Sequence, residues 1–172
     1  MYFCIVNTEA EPILYQEKQR FSKWLLLLVF LPATISGIVV FRYTETGDLP
    51  FSLIGLGVAL LAGVFLSLTA LESSVSAVGF SVRFVPFYRK PTLISFAEID
   101  TAEVITYKPL WEYGGWGLKK GKNGLAFSVS GKNGILITFK EPRKLFWGKH
   151  KTLLIGTQKP EEWRKVLSDI PR

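Results

Sequence analysis

Two stretches of this chain combine side-chain types that could hold an anion. The first is the glycine-rich run Tyr113-Gly114-Gly115-Trp116-Gly117-Leu118-Lys119-Lys120, with Lys122 close behind. Glycines allow close backbone approach to a ligand, and three ammonium groups could meet phosphate. The GxxxxGK[ST] spacing of a nucleotide loop is absent, so the competing reading is a backbone bend beside a tryptophan. The second stretch is Glu141-Pro142-Arg143-Lys144-Leu145-Phe146-Trp147-Gly148-Lys149-His150-Lys151. Cations interleaved with aromatics suit a surface where rings sit below headgroups and cations meet phosphates. They would equally suit stacking on single-stranded nucleic acid, or a solvated loop whose aromatics pack on the domain. The candidate contacts for anionic lipid are Lys119, Lys120, Lys122, Arg143, Lys144, Phe146, Trp147, Lys149 and Lys151.

Catalytic chemistry finds little support. His150 is the only histidine, and its lysine neighbours favour solvent exposure. No nucleophile-elbow sequence accompanies it. Asp100 and Glu103 fall on one predicted strand at an odd offset, which sends them to opposite faces and argues against an acid–base pair. Cys4 is the single cysteine, so neither an intrachain disulfide nor a thiolate cluster can form. No spacing of His, Asp or Cys suits a metal, and no cofactor is expected.

The elements that would position these residues begin with two charge-free apolar runs, 24–41 and 51–71, separated by nine residues. Each approaches the ~20 residues a helix needs to cross a hydrocarbon core, where the backbone must satisfy itself. The second run carries Gly55, Ala59, Gly63 and Ser67 every four residues, and the first carries Ala33 and Gly37. Such stripes let helices pack closely, either on each other within the chain or between copies. Lys18, Arg20 and Lys23 precede the first run, and the connection between the runs holds one arginine against two acids. The positive-inside rule then predicts a multi-pass protein of the cytoplasmic (inner) membrane with both termini cytoplasmic.

The formal charge is +7, and residues 72–172 hold seventeen basic against nine acidic side chains. On a tethered domain this charge favours anionic headgroups over nucleic acid.

From residue 72 onward, period-two alternation predicts strands. Ser73–Val78 and Phe80–Val85 read as a hairpin, and Thr92–Ser95 and Ile99–Tyr107 flank a turn at Phe96–Glu98. Strands follow at 125–130, 135–140 and 151–156. GKNG occurs at 121–124 and 131–134; Asn-Gly suits tight turns, and the second copy is the better hairpin signal because both flanks alternate. Pro160 with Glu161 and Glu162 starts a terminal helix whose apolar stripe is Trp163, Val166, Leu167 and Ile170.

The segments YGGWGLKKGKNGLAFSVSGKNGILITF and LLIGTQKPEEW, with ILYQEKQRFSKWLLLL at the front, resemble bacterial PH-like membrane proteins with an N-terminal helix pair. The resemblance implies an α+β membrane protein: a cytoplasmic segment 1–23, a two-helix transmembrane hairpin (24–41, 51–71), and a PH-like seven-stranded β-barrel with a C-terminal helix over 72–172. It carries no agreed enzymatic activity. The expected function is a membrane-anchored, non-catalytic interaction or assembly module, with anionic lipid, further copies or membrane proteins as partners and no nucleic acid. A subunit of a homo-oligomeric channel or a transporter accessory is the alternative, and a lipid-modifying enzyme a weaker one.

Overall fold

The computed structural model describes residues 13–22, part of 24–42, 49–121, 124–145 and 148–169; side chains at 49–53 and 56 lie outside the description. Alternation drives most of the described chain into two sheet layers. β1 (Ile13–Arg20), β2 (Ala70–Ser76), β3 (Gly79–Val85) and β4 (Tyr88–Ser95) form one sheet in chain order. β5 (Ile99–Thr106), β6 (Gly117–Gly121), β7 (Gly124–Ser128), β8 (Asn133–Leu145) and β9 (Gly148–Thr157) form the other, in the order β5-β8-β9-β7-β6. Within it β7 and β9 run parallel. The helices with described bounds are α1 (Leu49–Leu68), α2 (Pro109–Tyr113) and α3 (Pro160–Asp169), and the described residues between 24 and 42 are helical as well.

The expected seven-stranded PH-like barrel is therefore corrected to nine strands in two sheets among the described residues. Two of the nine were not anticipated. β1 is built from residues placed ahead of the first apolar run, and β6 from the lysine-bearing end of the glycine-rich loop.

The transmembrane hairpin is corrected as well. Among the described residues no helix is long and apolar enough to cross a membrane. The expectation of a multi-pass inner-membrane protein with cytoplasmic termini rested on those spans and falls with them.

The inward faces of the two sheets meet in one core. Leu71, Val75, Phe80, Val82, Phe84 and Ile94 come from the first sheet. Leu125, Phe127, Ile135, Ile137, Phe139, Leu153 and Ile155 come from the second, and Trp163 of α3 closes the end. A smaller cluster of Tyr107, Tyr113, Ala126 and Leu154 covers the opposite face of the second sheet. That two-sided burial explains why Leu153-Leu154-Ile155 is continuously apolar rather than alternating.

The repeated GKNG does not act as two equivalent turns. The first copy closes the β6–β7 hairpin, with Gly121 opposite Gly124 and Gly124 at φ 106°. The second links β7 to β8, which are separated by β9 and do not pair. Local turn chemistry is the same in both; strand order decides the difference.

Buried polar groups tie β1 to the far end of the chain. The Glu17 carboxylate accepts hydrogen bonds from Thr157 Oγ1 (2.7 Å), Gln158 N (2.8 Å) and Trp163 Nε1 (2.7 Å). Gln19 Nε2 donates to Gly156 O at 2.6 Å. Beside them Tyr15 packs edge-on against Trp163, with ring centroids 4.9 Å apart, and donates its hydroxyl to Glu162. Burial, then the Glu162 bond and the nearby carboxylates, push the Tyr15 phenol well above its ordinary range. On the outer face Glu72 joins Lys18 and Arg83 across three strands. Burial pushes the Glu72 carboxyl up, but the Lys18 and Arg83 bonds outweigh it and hold the group below the usual range.

Candidate functional site

Two surfaces stand out. The first is an apolar helical arm. The described residues between 24 and 42 are helical, and among them Trp24, Leu27, Leu31, Ile35 and Ile38 are exposed at a three-and-four spacing. On α1 the stripe Ile54, Val58, Leu61, Phe65 and Leu68 is exposed at the same spacing, with Leu61 at 72%. Contiguous apolar surface of this kind is not left facing water and marks an interaction site.

The inner side of the arm uses small residues. Ala59 is buried, and a Cβ added at Gly63 would overlap the Phe30 ring, so the two helical segments touch there. Ser67 donates to Gly63 O at 2.8 Å. Gly37 and Gly55 have nothing within 4 Å of a Cβ position and face open space. Ala33 lies outside the described residues. The base of α1 is mounted on the sandwich by rings: Phe65 meets Phe87 edge-on at 5.2 Å, Phe87 stacks on Phe84, and Phe84 leans on Phe127 in the core.

The second surface is a cleft of ≈ 830 Å³ between β5, α3 and the short 3-10 turn Phe96–Glu98. Phe80, Phe96 and Leu167 provide apolar lining, and Asp100, Glu103, Lys140 and Arg164 stand around it. A register shift between Ile99 and Thr101 marks a bulge in β5. The extra residue resets the alternation, so Asp100 and Glu103 are both exposed and both line the cleft. The odd offset alone sends them to opposite faces.

The basic candidates divide. Lys119 and Lys120 are exposed on β6, an edge strand. Lys144 and Lys149 pair across the β8–β9 tip, and Lys151 follows on β9, all exposed. Because β7 runs parallel to β9, the β6–β7 turn and the β8–β9 tip lie at the same end of the second sheet. Arg143 is committed elsewhere: it pairs with Glu98 and donates to Leu93 O at 2.6 Å. Lys122, Phe146 and Trp147 lie outside the described residues.

Around the glycine-rich loop, Gly114 caps α2 in the left-handed region at φ 72°, and Trp116 Nε1 donates to Gly131 O at 3.0 Å. The loop therefore links α2 to the second GKNG segment. Tyr113, on α2, is buried, and that burial raises its phenol pKa.

His150 departs from its expected exposure. It is 5% exposed and sits opposite Arg143 on the hairpin, with Nε2 buried and unpartnered. Strand alternation turns it inward while Lys149 and Lys151 point out. Among the described residues no group of three His, Cys, Asp or Glu side chains could hold a metal ion.

No family model, curated protein or solved structure matches this chain. The reading of its function rests on its own surfaces.

Proposed function

We propose that this chain is an assembly module, a two-sheet scaffold that presents an apolar helical arm to a second copy of itself. The observation that carries the reading is the exposed stripe Ile54, Val58, Leu61, Phe65 and Leu68 on a helix anchored to the core through Phe87 and Phe84. These side chains are 42–72% exposed, so burying what remains offers about 4–9 kcal/mol per copy, from ~1.5–3 kcal/mol for each complete burial. That is commensurate with the ~4–15 kcal/mol cost of association, so the whole stripe, and not one residue of it, is needed. Gly55, open on its outer side, allows another helix to come close. The like surfaces of two copies are self-complementary in a two-fold pair.

Cysteine cross-linking tests this directly. With Cys4 replaced by serine, Leu61→Cys or Val58→Cys in the full chain should give a disulfide-linked dimer under mild oxidation. Ala77→Cys, on the exposed β2–β3 turn, should not. If cysteines scanned along 54–68 remain monomeric, self-association through the arm is wrong.

A further inference from the structure

We propose that the cleft between β5 and α3 receives an extended, basic segment of another protein, which adds to the β5 edge as a further strand. Among the described residues β5 has one strand neighbour, β8, so its other edge carries backbone donors and acceptors with no strand partner there. A cleft over one face of a sheet would be lined by alternate residues. This one is lined by every residue from Ile99 to Val104, so the strand edge itself forms a wall. Six residues at ~3.3 Å each give about 20 Å, room for a strand of five or six residues.

The side chains then specify the occupant. Phe96 and Leu167, both half-buried, offer an apolar floor to alternate side chains of the incoming strand. Of the cations at the cleft, Arg164 pairs with Glu161, and Lys140 Nζ donates to Ala97 O at 3.0 Å, a neutral acceptor that leaves its charge in place. Asp100 and Glu103 have no partner among the described residues. With the Arg164–Glu161 pair neutral, the two carboxylates Asp100 and Glu103 outnumber Lys140, so the charge left at this cleft is negative in a chain of net charge +7. Complementarity selects lysine or arginine at the positions that face outward. The bulge sets the limit of pairing, because Asp100 stands out of register and leaves Thr101–Val104 as the regular edge.

The experiment uses the full chain and three fluorescein-labelled heptapeptides, read by fluorescence anisotropy at low salt. One alternates lysine with valine, one alternates glutamate with valine, and one is the lysine peptide N-methylated on alternate amides. The lysine peptide should bind, and N-methylation should weaken it about tenfold or more because it removes the strand donors. Asp100→Asn combined with Glu103→Gln should also weaken it about tenfold by removing both carboxylate charges. Equal binding of the glutamate peptide would overturn the charge assignment, and equal binding of the N-methylated peptide would overturn strand addition. Absence of lysine-peptide binding at roughly 1 mM, where affinity is about −4 kcal/mol, would overturn the proposal as a whole.

Discussion

Replacing Glu17 by alanine should cost about 2–6 kcal/mol of folding stability, because its carboxylate is the acceptor for two donors that would be left unpaired at about 1–3 kcal/mol each. The magnitude follows from what the carboxylate leaves behind. Trp163 Nε1 is fixed in a fully buried ring and cannot turn to another acceptor. Gln158 N–H also loses its acceptor, and each orphaned donor costs about 1–3 kcal/mol. Thr157 contributes less, since its hydroxyl can rotate and its oxygen already accepts from Lys159 N at 2.9 Å.

Glu17→Gln should fall between wild type and alanine. Whichever way the amide is turned, its NH2 faces either the indole N–H or the Gln158 N–H, at a cost of about 1–3 kcal/mol. Urea unfolding followed by near-ultraviolet circular dichroism measures both variants. With a slope of ~2 kcal/mol/M, the alanine midpoint should drop by roughly 1–3 M. A loss under about 1 kcal/mol for alanine would show that water satisfies these donors, and the account of the β1 anchor would be refuted.

Glu72 supplies an acid-sensitive contribution. Its folded pKa lies below the unfolded value, so the stabilisation is present above about pH 4.3 and is lost as the pH falls through the folded value. Glu72→Gln should therefore be less stable than wild type at pH 7 and nearly equal to it at pH 2, by urea midpoints at each pH. Gly79→Ala would drive a Cβ into the Ile94 carbonyl across the β3–β4 pair. It should cost about 1–3 kcal/mol and lower Tm by roughly 3–10 °C in a thermal melt; an unchanged Tm would mean that the strands separate freely at that point.

Much of the β architecture was legible because period-two alternation is local. Phe80, Val82 and Phe84 announced an inward face, and β2 and β3 pair across a short turn that their own residues specify. The stripe Trp163, Val166 and Leu167 likewise placed α3 on the core. Other elements left weaker marks. β1 reads as a polar lead-in to an apolar run because its buried members include Glu17 and Gln19, which are ordinarily surface residues. Only the donors of Thr157, Gln158 and Trp163, about 140 residues away, make that burial tolerable. The cleft was hidden for a related reason. A bulge is a feature of pairing between β5 and β8, and no property of Asp100 or Thr101 alone announces it.

Hydrophobic content misled in the opposite direction. Runs of apolar residues state that a segment needs covering, and the exposed stripe of α1 still makes that demand. They do not state what covers it.

The linear chain thus determined most of the strands, the terminal helix and their apolar faces, but not β1 or β6, since periodicity follows from contacts between near neighbours. Tertiary structure decided that β1 joins β2, that β9 lies between β7 and β8, and that two carboxylates converge on one cleft. The physical reason is one of range. Side-chain periodicity is written within a few residues, whereas strand order and bulges depend on partners far away in the chain, chosen by how well the two sheets close over a shared core.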